Sequence, residues 1–207
     1  MPMTEQWYTI GSFTFPASWG AIIASFILTY LFLFFWDRKA SDWYSNCIFS
    51  FLLVWKLSVI VVDFQTVMEH PITILYFHGG VIGYWLGLIA ALTYIFVKKV
   101  DHPATIIISW MVTVLVFEAV LHMLHHHFLL AGIQVLLNLL ILVFFIKKTS
   151  DTGGDIWAGQ LLVLFTLVQL FLSAFIGGFE LTVTAWTYLI MMTYFIFLLK
   201  VRRKHNE

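Results

Sequence analysis

Long apolar runs separated by short polar segments form the dominant pattern along this chain. A run of about 18 or more apolar residues suggests a transmembrane helix, and seven runs meet this condition. They are Ala17–Trp36, Trp43–Val62, Gly79–Val97, Ala104–Leu124, Phe128–Ile146, Ile156–Phe175 and Leu181–Leu199. Aromatic residues such as Trp19 and Trp186 stand near the ends of these runs, as in interfacial belts. The pattern predicts an all-α polytopic membrane protein with seven transmembrane helices.

The composition agrees with that fold class. Of the 207 residues, 61% are hydrophobic and 11% are charged, whereas about a quarter of the residues in a soluble domain are charged. We therefore expect a single transmembrane domain over residues 1–207. The lone cysteine, Cys47, excludes an intramolecular disulfide. We expect no cofactor and no nucleic-acid partner.

The basic residues predict the orientation of the chain. All of the 11 lysines and arginines except Lys56 follow an odd-numbered run. The positive-inside rule places these basic segments in the cytoplasm. The sequence therefore predicts an amino terminus outside and a carboxyl terminus inside. The basic positions are Arg38, Lys39, Lys98, Lys99, Lys147, Lys148, Lys200, Arg202, Arg203 and Lys204.

With this orientation, the remaining polar residues gather toward the outer side. Lys56 falls past the middle of the second run, roughly 20 Å from its cytoplasmic end at 1.5 Å per residue. An ionisable residue at such depth marks a candidate functional site, although a structural ion pair explains it equally well. The outer ends of the second to fourth runs, with the start of the seventh, collect His70, His78, His122, His125, His126, His127, Glu69, Glu118 and Glu180.

Three of these residues are spaced for one face of the fourth helix. Glu118, His122 and His125 follow one another at i, i+4 and i+7. Two histidines and a carboxylate suit zinc or ferrous iron, so a metal site is one interpretation. Proton handling is a second, and a hydrogen-bonded polar cap is a third. The pattern leaves all three open.

One segment resembles a known family. Phe77-His78-Gly79-Gly80-Val81-Ile82-Gly83 resembles the F-H-G-G-L-I-G signature of bacterial prolipoprotein diacylglyceryl transferases. Lys56 stands where that family has arginine, and Trp19-Gly20 resembles the beginning of its first span. Gln134 and Asn138 resemble the start of a later span, with Gln134 in place of glutamate. Gln169 stands in place of an arginine.

The resemblance implies a multi-pass protein of the bacterial cytoplasmic membrane. It also implies transfer of a diacylglyceryl group from phosphatidylglycerol to the cysteine thiol of a lipoprotein precursor, or action on a related outer-leaflet lipid. In this reading His78 is the base for the thiol and Lys56 neutralises the phosphate. His122 and His125 add positive charge. The lipid-binding residues would be Gly79, Gly80, Trp19, Gln134, Asn138 and Gln169.

Two alternatives belong to other functional classes. The first is a non-catalytic relative that serves as a membrane binding or assembly protein. The second is a metal-dependent membrane enzyme that uses the face of Glu118, His122 and His125.

Overall fold

The computed structural model describes residues 6–11, 13–72, 74, 78–98, 103–149, 154–178 and 181–206. In this part of the chain seven helices are long and apolar enough to cross a membrane: Ala17–Trp36, Arg38–Val62, Gly80–Lys98, Pro103–Leu124, Phe128–Thr149, Ile156–Phe175 and Val183–Val201. The predicted multi-pass architecture is confirmed, and each predicted run coincides with one of these helices. The sides on which the termini lie stay a prediction. Phe77, Lys99 and Glu180 lie outside the described residues, as do the side chains of Arg202, Arg203 and Lys204.

The elements follow one another with short connections. The strands are β1 (Trp7–Ile10) and β2 (Phe13–Pro16). The helices are α1 (Ala17–Trp36), α2 (Arg38–Leu57), α3 (Val59–Val62), α4 (Phe64–Glu69), α5 (Gly80–Lys98), α6 (Pro103–Leu124), α7 (Phe128–Thr149), α8 (Gly154–Gly177) and α9 (Val183–Asn206). The chain divides into two compact units, residues 36–101 and residues 1–35 with 102–207.

The structure adds a short amino-terminal β-hairpin to the predicted helical fold. Strands β1 and β2 pair antiparallel, with Trp7 opposite Pro16. Gly11 has a φ of +63° in the connecting turn, a conformation that glycine adopts without steric cost. The hydroxyl of Tyr8 donates a hydrogen bond to the carbonyl of Leu124. The hairpin is therefore attached to the last residue of α6.

Helix α2 begins earlier than predicted, at Arg38 rather than Trp43. The Asp37 side chain accepts hydrogen bonds from the backbone N–H groups of Lys39 and Ala40, at 3.1 and 3.3 Å. Such an N-cap satisfies donors that have no partner within the helix. The helix therefore extends beyond the apolar run, and its first turn is polar.

In the smaller unit, α5 packs against α2 along a stripe of glycines. A Cβ atom added to Gly79 or Gly83 would collide with the Ser58 hydroxyl, and one added to Gly87 would lie 2.8 Å from the Phe51 carbonyl oxygen. These glycines recur every four residues, the small-residue spacing that lets membrane helices approach closely. The stripe fixes the position of the amino-terminal end of α5 beside Ser58.

In the larger unit, α6, α7, α8 and α9 pack together. Their shared interior contains large apolar side chains that are almost fully buried, among them Ile107, Met111, Phe145, Leu162 and Phe165. Polar side chains are buried in the same unit, and they form the cluster described below.

Candidate functional site

The predicted site residues are distributed over the two compact units. Lys56, His78, Gly79 and Gly80 belong to the smaller unit, in which α2 and α5 pack. The larger unit contains Trp19, Glu118, His122, His125, Gln134, Asn138 and Gln169. Each group has its own geometry.

His78 lies just before α5, against the last turn of α2. Its imidazole contacts the indole of Trp55, with ring centroids 4.8 Å apart. Its Nδ1 atom accepts a hydrogen bond of 3.0 Å from the backbone N–H of Gly80. The indole N–H of Trp55 in turn donates to the Gly80 carbonyl at 3.3 Å. These bonds hold the ring at the end of the helix pair.

The hydrogen bond to Nδ1 decides how His78 can act. A nitrogen that accepts an N–H cannot carry a proton, so we assign the neutral ring as the Nε2–H tautomer. Partial burial lowers the pKa of His78, and the charge of Lys56 lowers that pKa further. Neutral His78 therefore presents a donor at Nε2. The resemblance implies that His78 takes a proton from a thiol, and for this the bond between Nδ1 and Gly80 must break first.

Lys56 lies in the last turn of α2 and is half-buried. Because α2 begins at Arg38, Lys56 stands about 27 Å from the beginning of the helix at 1.5 Å per residue. The depth of Lys56 past the middle of the membrane stays a prediction. The side chain is near enough to His78 to influence its protonation. The two groups together provide one cation and one N–H donor.

The two predicted lipid-binding glycines have structural roles here. Gly79 is buried, and the space that its side chain would need is filled by Ser58, whose Cβ lies 2.9 Å from the ideal Cβ position. Gly80 has a φ of +57° with open space around it. Its left-handed backbone turns the chain into α5 and directs its N–H toward His78. Contact of these glycines with lipid stays a prediction.

In the larger unit, buried polar side chains from four helices form one cluster. The hydroxyl of Tyr188 on α9 donates to Oε1 of Glu118 on α6. His122 Nε2 lies 3.6 Å from Oε2 of the same carboxyl. Gln134 on α7 is near enough to interact with both Glu118 and His122. The Glu118–His122 neighbourhood expected from the i, i+4 spacing is thus confirmed.

Three amides continue this cluster. Gln134 Nε2 donates to Gln169 Oε1 at 2.8 Å, and Gln169 Nε2 donates to Asn138 Oδ1 at 2.5 Å. Their predicted role as lipid ligands stays untested, since in this arrangement the amides bond one another across α7 and α8. Within the described residues, two buried atoms of the cluster have no hydrogen-bond partner: His122 Nδ1 and Asn138 Nδ2. Sequence reasoning missed Tyr188, because a tyrosine in an apolar run carries no spacing signal.

His125 is the last position of the helical face on which Glu118 and His122 lie, since its N–H still bonds to the Leu121 carbonyl at 3.0 Å. Helix α6 ends at Leu124, and His126 adopts a left-handed φ of 60°. The N–H of His127 bonds to the His122 carbonyl at 2.8 Å, and the N–H of His126 bonds to the Met123 carbonyl at 3.0 Å. These two bonds define a Schellman motif, which terminates helices at a left-handed residue. The helical hydrogen bonding therefore ends directly after His125, at the limit of the predicted i, i+7 face.

The metal hypothesis gains no support from this geometry. Among the described residues, no three His, Cys, Asp or Glu side chains come together as a metal-ion site. Glu118 and His122 are adjacent, but His125 lies in the turn that follows. The remaining predicted residue, Trp19, lies half-exposed in the first turn of α1.

Comparison of the chain with protein-family models, with curated proteins and with solved structures gives no match. The resemblance to the diacylglyceryl transferases therefore rests on the sequence segments alone.

Proposed function

We propose that this protein binds the anionic headgroup of a membrane phospholipid with Lys56 and His78, and that it is a divergent prolipoprotein diacylglyceryl transferase. The observation that carries the proposal is the pairing of these two residues at one end of the α2–α5 pair. Lys56 supplies a full positive charge, and the neutral ring of His78 supplies an Nε2–H donor. A phosphate diester accepts hydrogen bonds and attracts cations, so it matches both groups.

The chemistry of transfer explains why the site needs a cation. A thiolate attacks the glycerol carbon that bears the phosphate, so a C–S bond forms while the C–O bond breaks. The glycerol phosphate part of phosphatidylglycerol leaves, and negative charge grows on its phosphate as the C–O bond breaks. Lys56 and His78 stabilise that charge. Stabilisation of charge that develops in the transition state is usually the largest single contribution to catalysis. The thiol proton passes to a base, and His78 takes this role once Nδ1 is released from Gly80.

A non-catalytic lipid-binding protein is the second candidate. It is favoured by the hydrogen bond between Gly80 and His78 Nδ1, which occupies the lone pair that a general base requires. In this case the same two residues hold a headgroup without a reaction. The candidates therefore share the ligand and differ in turnover.

The experiment is a transfer assay with purified protein, phosphatidylglycerol and a peptide that carries a lipoprotein cysteine. The transferase proposal expects release of glycerol phosphate, with at least about a hundredfold loss of rate in His78→Ala, the range for a removed acid–base group. Lys148→Met serves as a charge control in the other unit. Lipid binding without any product would favour the second candidate, and full activity of both His78→Ala and Lys56→Ala would contradict the proposal.

A further inference from the structure

The cluster around Glu118 contains the parts of a proton path. Glu118 is 9% exposed and His122 is 2% exposed, so both lie inside the four-helix packing. An ionisable carboxyl within a membrane span is costly unless it is paired or functional. The proposed function includes no proton exchange between Glu118 and His122.

The end of α6 connects this buried pair to the surface. His125, which follows His122 in the chain, is half-buried. The next two residues, His126 and His127, are exposed. His125 and His127 are both near enough to interact electrostatically with His122. Imidazoles exchange protons near neutral pH, so a series of titratable rings extends from the surface to the buried ring.

The two nitrogens of His122 have different surroundings. Within the described residues Nδ1 is buried without a hydrogen-bond partner, while Nε2 faces Glu118 Oε2 at 3.6 Å. An imidazole with one available nitrogen and one nitrogen directed at a carboxyl can receive a proton on the first and release another from the second. The 3.6 Å separation exceeds hydrogen-bond distance by about 0.6 Å, so transfer requires the ring to move toward the carboxyl.

The groups that face Glu118 define what can titrate there. His122 lies on α6 itself, Tyr188 faces the carboxyl from α9, and Gln134 faces it from α7. Gln169, on α8, reaches the cluster through Gln134. The amides are neutral, and the tyrosine acts as a donor to Oε1. Among these groups the proton exchange is therefore confined to Glu118 and His122.

We propose that Glu118 is a buried proton-binding site and that His122 is the relay that loads it from the histidines at the end of α6. A proton adds to Nδ1 of His122, and the imidazolium then releases its Nε2 proton. The N–H bond breaks as an O–H bond forms at Glu118 Oε2. The result is a neutral ring and a neutral carboxylic acid, with one proton taken from the aqueous side.

Infrared difference spectroscopy of the purified full-length protein tests this proposal without any lipid substrate. After a pH jump between about pH 5 and pH 9, the range over which histidines titrate, wild type should show a change in the protonated-carboxyl C=O band. The band should vanish in the isosteric Glu118→Gln variant. In His122→Gln it should develop about a hundredfold more slowly, the loss expected for a removed proton-transfer group.

Thr166→Val is the matched control, because it removes a buried hydroxyl that bonds to the Leu162 carbonyl of its own helix, α8, and leaves the Glu118–His122 pair in place. It should retain the wild-type rate. If His122→Gln does not fold, Tyr188→Phe gives a second measurement. Loss of the phenol donor should shift the frequency of the Glu118 band, which should still respond to pH. A band that never responds to pH, or one that forms in His122→Gln as fast as in wild type, would overturn the proposal.

Discussion

The imidazole of His78 rests against the indole of Trp55, with ring centroids 4.8 Å apart and planes inclined by 41°. Trp55 is bound through its N–H to the carbonyl of Gly80, whose own N–H holds His78 Nδ1. The residue that the sequence singles out as a base is therefore held by backbone geometry as a donor. The charge of the neighbouring Lys56 lowers the pKa of this imidazole.

The first prediction concerns the influence of Lys56 on His78. Because the lysine charge lowers the pKa of His78, Lys56→Met should raise that pKa toward its ordinary value. The pKa should remain somewhat below that value, since partial burial is the larger cause and persists. NMR titration of ¹⁵N-histidine-labelled protein measures it, with His78→Gln to assign the signal. A pKa of His78 unchanged by Lys56→Met would show that the two groups do not interact.

The same shift predicts a dependence of stability on pH. Folded His78 has a lower pKa than the unfolded residue, so the unfolded state binds the proton more tightly at mildly acidic pH. The stability that neutral His78 contributes is present above about pH 6.5 and is lost as the pH falls through the lower folded value. Unfolding measured across this range should show a decline that His78→Gln reduces. An identical decline in the variant would assign it to other groups.

The second prediction tests the glycine stripe of α5. Gly83→Ala places a Cβ against the Ser58 hydroxyl and within 3.1 Å of the Trp55 carbonyl oxygen. Overpacking of this kind costs about 1–3 kcal/mol. Gly159→Ala, which adds a Cβ that meets nothing within 4 Å, is the control and should be nearly neutral. Thermal unfolding in detergent compares the two, and adding Ser58→Ala should restore part of the loss. Equal melting temperatures would refute close packing at Gly83.

The third prediction separates the amides of the buried cluster. Gln134→Leu leaves the acceptor oxygen of Gln169 without its partner, and an unsatisfied buried polar group costs about 1–3 kcal/mol. The double variant Gln134→Leu with Gln169→Leu should lose less than the sum of the two single variants. Denaturant unfolding of the four proteins forms the thermodynamic cycle. Strict additivity would mean that the two side chains are not bonded.

The fourth prediction concerns His126, which adopts a left-handed φ of 60° at the end of α6. This conformation costs a residue with a Cβ about 1–2 kcal/mol relative to glycine, offset in part by the greater flexibility of unfolded glycine. His126→Gly should therefore raise the melting temperature slightly, and His126→Val should lower it. A lower stability for His126→Gly would indicate that the ring contact with Phe128, at 5.9 Å, matters more than the backbone.

Apolar run length predicts the seven helices well, because a membrane span requires length and hydropathy and little else. It does not predict where a helix ends outside the bilayer. Asp37 extends α2 to Arg38, and the left-handed His126 ends α6. Both effects depend on single residues. Gly11, which lies between two β-prone segments, is a signal for a hairpin. The four-residue recurrence of Gly79, Gly83 and Gly87 is a signal for close helix packing.

The site was predicted in part for a similar reason. Helical spacing brings Glu118 next to His122, since both are on one helix. Helical spacing does not show which amides on different helices meet. It therefore predicts neither the Gln134–Gln169 bond nor the approach of Tyr188 to Glu118. Nor can spacing reveal that the Gly80 N–H occupies His78 Nδ1, because that contact depends on a left-handed glycine.

Phosphatidylglycerol binding to wild type, Lys56→Met and Lys148→Met tests the central claim most directly. Fluorescent phosphatidylglycerol is titrated with each purified protein, and unlabelled phosphatidylcholine serves as the zwitterionic competitor. A basic residue contributes about 1 kcal/mol to the attraction of an anionic headgroup, which corresponds to about a fivefold change in affinity. Lys56→Met should lose that much and Lys148→Met should lose less. Equal affinity of wild type and Lys56→Met would contradict an anionic headgroup site at Lys56 and His78.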